Sequence, residues 1–452
     1  MRTPVHHGLS RLGGHWASRF AAAWLIIIAG WQASVAQAAL SIEQWHTSTG
    51  VKVLFVAADA IPMLDIEVSF DAGSRLDPPA REGLASMTAA LLDAGAGGRD
   101  EAAVADAFAR LGARRSNGAG IDTAWAGLRS LVSEPELDRA VDLLVDMMAR
   151  PAFPVSVLER ERERSVQRIG ESLQRPGAIM SRLFSQLVYP DHPYGTSTSI
   201  ESMQAITREA VVQFHREHYV RSRATIAMIG AIDRARAERI AERLVADLPQ
   251  GRADNHLPPV RMPEPQERRV EHPASQSHII MGAPLMARSD PDYFPLLVAN
   301  HVLGGGSFLS RLYAEIRDKR GYAYSVSSGF SLRRQTGVFS ISLQTARQNT
   351  EPALQVVRQV LADFVRDGPT DAEVAAAQDN LAGSFALSMD SNGEILDLIS
   401  RIGVHDLPLD WLDRWPARVR AVTPAQVRDA LTRRLHPDRM VTVVVGQATA
   451  TP

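Results

Sequence analysis

The stretch GGGSFLSRLYAEIRDKRGYAY, residues 304–324, carries more structural information than any other part of this chain. Three glycines open it, and Leu309, Leu312 and Ile316 then recur at a spacing that predicts one apolar face of a helix. The run YAYSVSSGF that follows contains alternating, strand-forming residues. The stretch therefore predicts a flexible glycine turn that opens a helix, followed directly by a strand.

Arg317 and Tyr324 fall at the helix end and on the adjoining strand, where a guanidinium and a phenol can point at one spot. The whole run resembles the C-terminal domain of the pitrilysin/insulinase family of inverted-motif zinc peptidases. The resemblance implies that this Arg/Tyr pair holds the substrate backbone and stabilises the tetrahedral intermediate. We further expect Gly304, Gly305 and Gly306 to let the backbone approach substrate or partner closely. The alternative is a cationic helix end beside a core aromatic residue.

The zinc motif of that family, H-x-x-E-H on a helix, is degenerate in this chain. The matching segment is REGLASMTAALLDAG, residues 81–95. Its alignment puts Ser86, Ala89 and Ala90 at the three motif positions, which share one helical face. None of these side chains can bind zinc or act as a general base.

The resemblance also implies a further zinc-binding glutamate on a later helix. Counting back from Pro176 places Arg168 at that position, although Glu163 and Glu171 lie close by on the same helix. One carboxylate cannot hold a catalytic zinc alone, because such a site needs about three protein ligands. The sequence therefore predicts that this chain binds no metal and carries no cofactor of its own.

The composition is that of a soluble globular protein. Hydrophobic residues make up 45% of the 452 residues and charged residues 22%, with a formal net charge of −2. This balance gives no reason to expect nucleic acid as a partner. The absence of cysteine excludes disulfides, thiolate metal sites and cysteine nucleophiles.

Residues 1–38 have the features of a signal peptide. Three arginines precede the apolar segment 20–30, and Ala36-Gln37-Ala38 forms an A-x-A cleavage site. The apolar segment is too short to span a bilayer comfortably. We therefore expect cleavage after Ala38, a periplasmic protein and no stable membrane anchor. The alternative is an uncleaved anchor.

The pattern in the rest of the chain predicts two copies of one structural unit. Residues 206–230 align without a gap to residues 422–446, at an offset of 216. Each segment begins with a threonine suited to N-capping, continues as a helix and ends as a strand. The starts of the two halves also share the order strand, turn, helix.

These patterns predict an α+β fold of two homologous sandwich domains, each a mainly antiparallel sheet covered by helices. The domains would span residues 39–247 and 268–452, with a proline-rich linker over residues 248–267. The family resemblance implies the same architecture and covers essentially the whole of the mature chain.

Two histidine-containing motifs are expected to have structural roles. His215-Arg216-Glu217-His218 has two histidines at i and i+3, but this spacing is one residue short of the inverted zinc motif. His192 in HPYG is likewise expected to support packing. The glycines at 304–306 are not followed by the lysine of a phosphate-binding loop.

The resemblance implies the non-metal-binding subunit of a heteromeric peptidase. A zinc-bearing homologous subunit would be its partner and would supply the zinc, and peptides would be the substrates. The first rival hypothesis is a binding or scaffold protein of the same fold, which would not need both Arg317 and Tyr324. The second is a stand-alone peptidase with a different metal site or none, which the changes at positions 86, 89 and 90 argue against.

Overall fold

The computed structural model describes residues 40–252 and 256–446. The predicted signal peptide and its cleavage site lie outside the described residues and remain predictions. Contacts divide the chain into Met1–Leu40 and Ser41–Pro452, and every element named below belongs to the second unit. No helix in the described part is both long and apolar enough to cross a membrane.

The two halves of the described chain share the start, a strand followed by a helix, and the end, a helix followed by a strand, but the first half has additional strands. The strands are β1 (Glu43–His46), β2 (Lys52–Ala57), β3 (Met63–Phe70), β4 (Gly95–Ala96), β5 (Arg99–Asp100), β6 (Arg114–Ala119), β7 (Ala124–Leu131), β8 (Ala224–Gly230), β9 (Gln266–Glu271), β10 (Gln276–Pro284), β11 (Ala323–Ser331), β12 (Val338–Ala346) and β13 (Val441–Gly446). The α-helices are α1 (Leu84–Ala90), α2 (Glu101–Arg110), α3 (Glu136–Ala149), α4 (Val155–Ser172), α5 (Pro176–Val188), α6 (Ile200–Gln204), α7 (Arg208–His218), α8 (Arg234–Ala246), α9 (Tyr293–Asn300), α10 (Arg311–Tyr313), α11 (Thr350–Asp367), α12 (Asp371–Phe385), α13 (Asn392–Val404), α14 (Trp411–Arg420) and α15 (Pro424–Arg434).

Two large sheets share one topology. The first has the order β1-β2-β8-β3-β7-β6, and the second has the order β9-β13-β10-β12-β11, which matches β2-β8-β3-β7-β6, so β1 is an additional strand of the first sheet. In each sheet one pair is parallel, β2 with β8 and β9 with β13, and the other pairs are antiparallel. This arrangement confirms the predicted α+β class with mainly antiparallel sheets, and it makes β6 and β11 equivalent edge strands.

The internal repeat at an offset of 216 is visible in the structure. Helix α7 leads into β8 in the first half just as α15 leads into β13 in the second. The predicted caps are confirmed, because Thr207 Oγ1 accepts a hydrogen bond from the Ala210 amide and Thr423 Oγ1 accepts one from the Gln426 amide. These hydroxyls satisfy amides that have no partner within the helix.

One helix from each half also packs on the sheet of the other half. Helix α5 packs on β13 and β10, where Phe184 and Val188 join a cluster with Val443. Helix α13 packs on β8, β3 and β2, and Lys52 donates to the Gly403 carbonyl oxygen at 3.0 Å. Both sheets therefore carry helices on both faces.

The stretch predicted as a linker is held at its C-terminal part. The His192 imidazole donates to the Pro258 carbonyl oxygen at 2.9 Å, and Gln335 Nε2 donates to the Leu257 carbonyl oxygen at 2.8 Å. Strand β9 begins at Gln266, before the predicted end of the linker. The division into domains 39–247 and 268–452 stays a prediction.

We predict that enlarging Gly403 weakens the fold, because a Cβ there would lie 2.6 Å from Leu54 and 2.7 Å from Thr225. Gly403→Leu should lower the free energy of unfolding by about 1–3 kcal/mol or more through overpacking. Gly383→Leu is the control, since a Cβ at this exposed helical glycine meets nothing within 4 Å. Urea unfolding of both variants tests this, and equal stabilities would contradict the packing account.

Candidate functional site

The glycine run ends one helix and does not open the next, contrary to the prediction. Helix α9 continues into a π-helical turn over His301–Gly305, and Gly306 lies at its end. A short 3-10 turn, Ser307–Leu309, separates this helix from α10. A second π-helical turn, Ala314–Asp318, extends α10 and carries Arg317. Turns of this kind are frequent at functional sites.

The predicted apolar face is correct at two of its three positions. Leu312 and Ile316 are fully buried, but Leu309 is 82% exposed. The reason is that the helix begins only at Arg311, after Ser310 has bonded through its hydroxyl to the Ser307 carbonyl oxygen. Leu309 therefore precedes the helix whose periodicity it appeared to share.

The first glycine is required for space, not for flexibility. A Cβ at Gly304 would lie 2.6 Å from the Ser328 hydroxyl and 2.7 Å from the Ser328 amide on β11. The Ser328 hydroxyl in turn donates to Asn300 Oδ1 at 2.7 Å. Gly304 is buried beneath the strand, whereas Gly305 is exposed and Gly306 half-buried. The observed close approach of Gly304 is to the chain's own strand, and a contact of these glycines with substrate stays a prediction.

Arg317 and Tyr324 lie next to each other in the structure, as the sequence predicts. The Arg317 guanidinium carbon is 4.6 Å from the centroid of the Tyr324 ring, 4.8 Å from that of Tyr313 and 5.8 Å from that of Phe308. Aromatic faces attract a cation at such distances. Within the described part of the chain, no carboxylate pairs with Arg317. The nearby carboxylate of Glu315 is bonded to Lys319 and Arg320 instead.

Tyr324 projects into solvent from the outer strand of the second sheet. Its side chain is 81% exposed, and β11 lies at the sheet edge. The pairing of β11 with β12 shifts register between Ala323 and Val326, so Tyr324 and Ser325 are both exposed. An irregularity of this kind re-aims side chains near sheet edges. The phenol is therefore presented beside the guanidinium.

The helical segment that carries Arg317 is firmly anchored. Arg311 forms two hydrogen bonds of 2.7 Å with Glu373 and a further one of 3.1 Å with the Gly368 carbonyl oxygen. This bidentate pair lowers the pKa of Glu373 to about 2. Thr345 Oγ1 donates to the Tyr322 carbonyl oxygen at 2.6 Å and fixes the entry into β11.

The positions predicted to be a degenerate zinc motif lie on α1 in the first half. Ser86 and Ala90 are exposed, whereas Ala89 is fully buried, and its carbonyl oxygen accepts a 2.8 Å hydrogen bond from Asn117. The Asp77 carboxylate accepts from the Gly83 and Ala85 amides at the start of the helix, and its burial raises the pKa of Asp77 to about 6. The helix is thus intact although its motif side chains cannot bind zinc.

Arg168 lies on the exposed face of α4. Its guanidinium donates to Ser165 Oγ at 2.8 Å, and the alternatives Glu163 and Glu171 are exposed as well. Among the residues that the structure describes, no group of three or more histidine, cysteine, aspartate or glutamate side chains could hold a metal ion. The side chains at positions 86, 89, 90 and 168 therefore do not form a donor set that fits a catalytic zinc.

Both histidines of the HREH segment have packing roles, as predicted. His215 Nε2 donates to the Met148 carbonyl oxygen at 2.8 Å, and the ring stacks on Tyr219 at 4.8 Å. His218 Nδ1 accepts a 2.6 Å hydrogen bond from Arg223. Burial lowers the pKa of each histidine to about 4, with the Arg223 charge adding to the effect on His218.

Comparison with family models relates the two halves to known proteins. The model described as insulinase, peptidase family M16, matches residues 53–200. The model described as the peptidase M16 inactive domain matches residues 205–381. The chain belongs to peptidase family M16. This agrees with the family resemblance inferred from residues 304–324.

Individual proteins similar to this chain include two solved structures and one curated relative. A crystal structure described as a peptidase M16 inactive domain, from Pseudomonas fluorescens, is 34% identical, with a TM-score of 0.88 over 91% of this chain and 99% of that one. A Helicobacter pylori protease, 17% identical with a TM-score of 0.81, shares the fold over 90% of this chain and all of that one. An uncharacterized zinc protease of Streptomyces coelicolor is 28% identical over 380 residues, which are 80% of this chain and 81% of that protein.

Two further residues of the candidate site around Arg317 were not predicted from the sequence. Phe308 and Tyr313 contact the Arg317 guanidinium, and their rings meet edge to face at 5.0 Å. Phe308 is 69% exposed, which is unusual for a phenylalanine. The available signal was a large apolar pair, Phe308-Leu309, next to glycines in a predicted turn.

We predict that Gly304→Ala destabilises the protein by about 1–3 kcal/mol, because the new Cβ would meet the backbone of β11. Gly329→Ala on the same strand is the matched control, since a Cβ there meets nothing within 4 Å. Its stability should stay within about 1 kcal/mol of the wild type. Thermal or urea unfolding measures both, and a wild-type-like Gly304→Ala would show that the turn is not tightly packed.

Proposed function

We propose that this chain is the non-metal-binding subunit of an exported M16 peptidase and acts with a zinc-bearing homologous subunit. The observation that carries the proposal is the pairing of Arg317 with Tyr324 at an exposed sheet edge, in a chain whose own motif positions cannot hold zinc. The match to the M16 inactive-domain model supports it. The description as a zinc protease applies to the Streptomyces coelicolor relative and is not transferred to this chain.

The two side chains suit recognition of a scissile peptide. Arg317 offers several N–H donors and, among the described residues, has no carboxylate partner to give up before it binds a carbonyl oxygen. Its contacts with Phe308, Tyr313 and Tyr324 hold the guanidinium without neutralising it. The Tyr324 hydroxyl is exposed and can donate one further hydrogen bond.

These donors would act on charge that develops during peptide hydrolysis. When the carbonyl carbon becomes tetrahedral, its oxygen gains negative charge, and preorganised donors stabilise that charge more than they stabilise the substrate. The partner's zinc would supply Lewis-acid chemistry and an activated water. The contribution of this chain would be to orient the substrate backbone and to donate hydrogen bonds from Arg317 and Tyr324.

We predict that this chain alone has negligible peptidase activity and that a zinc-bearing homologue from the same organism creates activity on mixing. In that pair, Arg317→Ala and Tyr324→Phe should each lower kcat by about 10²–10³, because a transition-state donor is lost. A quenched fluorescent peptide reports turnover, and size-exclusion chromatography reports complex formation.

Matched controls separate loss of chemistry from loss of structure. Arg320→Ala removes a nearby guanidinium that is bonded to Glu315, and Tyr322→Phe removes a hydroxyl two residues before Tyr324. Both control pairs should cleave at close to the wild-type rate. If intact pairs that carry Arg317→Ala or Tyr324→Phe also do so, the catalytic role is wrong and the scaffold hypothesis gains support.

We predict that the purified chain holds no stoichiometric zinc, because Ser86, Ala89, Ala90 and Arg168 supply no suitable ligand set. Metal analysis by inductively coupled plasma mass spectrometry after mild dialysis is the measurement, with the zinc-bearing homologue as positive control. About one tightly bound zinc per chain would contradict this prediction.

We also predict that the mature chain begins near Ala39 in the periplasm, because the A-x-A site follows a short apolar segment. N-terminal sequencing of protein from the periplasmic fraction measures the cleavage point. Recovery only from membranes, with residues 1–38 intact, would favour the uncleaved anchor.

A further inference from the structure

A cavity in the second half has an aromatic wall and a cationic rim. Its volume is about 210 Å³, and it lies between the loop after β10, the end of α12, and helices α13 and α14. None of its lining residues belongs to the 304–324 run. The lining residues are Arg288, Tyr293, Phe385, Leu398, Arg401, Ile402, Leu407, Trp411, Leu412 and Trp415.

The apolar wall of this cavity is built from stacked rings. Phe385 stacks on Trp415 with a centroid distance of 4.4 Å and an interplanar angle of 11°. Tyr293 lies 5.7 Å from Trp411. These rings come from three different helices, and their mutual packing holds the wall in place.

The rim carries two arginines without a carboxylate partner in the described part of the chain. The Nε atom of Arg288 is buried and has no hydrogen-bond acceptor, which is costly for a guanidinium group. Burial, with a smaller effect from the Arg401 charge, lowers the pKa of Arg288. Arg401 is exposed at the mouth of the cavity.

The surrounding charges do not neutralise this pair. Burial lowers the pKa of His405 to about 4, and the Arg288 charge is the next largest cause, so this neighbour is uncharged at neutral pH. The Asp122 charge has a smaller, opposite effect on the pKa of His405, but the Asp122 carboxylate is hydrogen-bonded to other groups. Its carboxylate accepts from the Tyr194 hydroxyl at 2.8 Å and from the Arg334 amide at 3.0 Å. Among the described residues, those that line the cavity therefore include no carboxylate.

We propose that this cavity binds a small organic carboxylate, with its carboxylate between Arg288 and Arg401 and its apolar part against Trp411 and Trp415. Arginine presents paired donors that match the two oxygens of a carboxylate. The aromatic wall favours a ligand with an apolar body over inorganic phosphate, which would leave that wall unfilled. The site is separate from Arg317 and Tyr324 and does not rest on the peptidase proposal.

Such a carboxylate could come from the C-terminus of a peptide or from a free aromatic acid. Isothermal titration calorimetry of the purified full chain distinguishes the two sources. The probes are acetyl-Ala-Ala-Phe, 3-phenylpropionate, the carboxamide of each, and inorganic phosphate. We expect saturable binding of at least one acid, with its neutral carboxamide about tenfold weaker or more because a charge-assisted pair is lost. The tighter of the two acids identifies the source.

Variants locate the binding in this cavity. Arg401→Gln should weaken binding of the acid by about tenfold or more, and Arg288→Gln should do the same if it folds. Arg414→Gln on α14 is the matched control, because Arg414 is exposed and paired with Asp410. Its affinity should equal that of the wild type. The proposal is overturned if neither acid saturates, if acid and carboxamide bind equally, if phosphate binds as tightly as the acids, or if Arg401→Gln binds as the wild type does.

Discussion

Each sheet in this chain is buried on one face by a helix that belongs to the other half, and the rest of the arrangement depends on that exchange. Helix α5 covers β13 and β10, while α13 covers β8, β3 and β2. The contacts are both apolar and polar, as with Phe184, which clusters with Val443, and Lys52, which donates to the Gly403 carbonyl oxygen at the end of α13. Burial of apolar area is the main favourable term in folding. One face of each sheet would therefore lose apolar burial without the helix from the other half.

The two halves use one scaffold for different local chemistry. In the first half, the Asp77 carboxylate accepts from amides at the start of α1, and the helix presents Ser86 and Ala90, which are not zinc ligands. In the second half, the edge strand β11 presents Tyr324 beside Arg317. The two sheets share the order of five strands, so these local differences lie in side chains that a common scaffold carries at different places.

Four arginines show the difference between a guanidinium that is paired with a carboxylate within the fold and one that is not. Arg311 is bidentate with Glu373, and Arg129 is likewise paired with Asp65, so both charges are satisfied within the fold. Arg317 and Arg288 have no such carboxylate among the described residues. The first is held by aromatic faces, and the second lines a cavity with a buried Nε that lacks an acceptor. Such guanidinium groups can bind an incoming oxygen ligand without first breaking an ion pair.

The sequence by itself determined the features that depend on local periodicity and on residue identity. The order of elements at the start and end of each half, the repeat at an offset of 216 and the threonine caps could all be read from it. The loss of zinc ligands at positions 86, 89 and 90 is a prediction from the sequence alone. The adjacency of Arg317 and Tyr324 could also be predicted, because a helix end and the strand after it are neighbours in space.

Only the tertiary structure decided which distant surfaces meet. Leu309 matched a helical period yet is exposed, since the helix begins after Ser310. Gly304 reads as flexible but is required because β11 lies against it. The helix exchange and the cavity at Arg288 join segments far apart in the chain. Periodicity tells which face of an element is apolar, but not which remote element covers that face, because that choice depends on packing of the whole core.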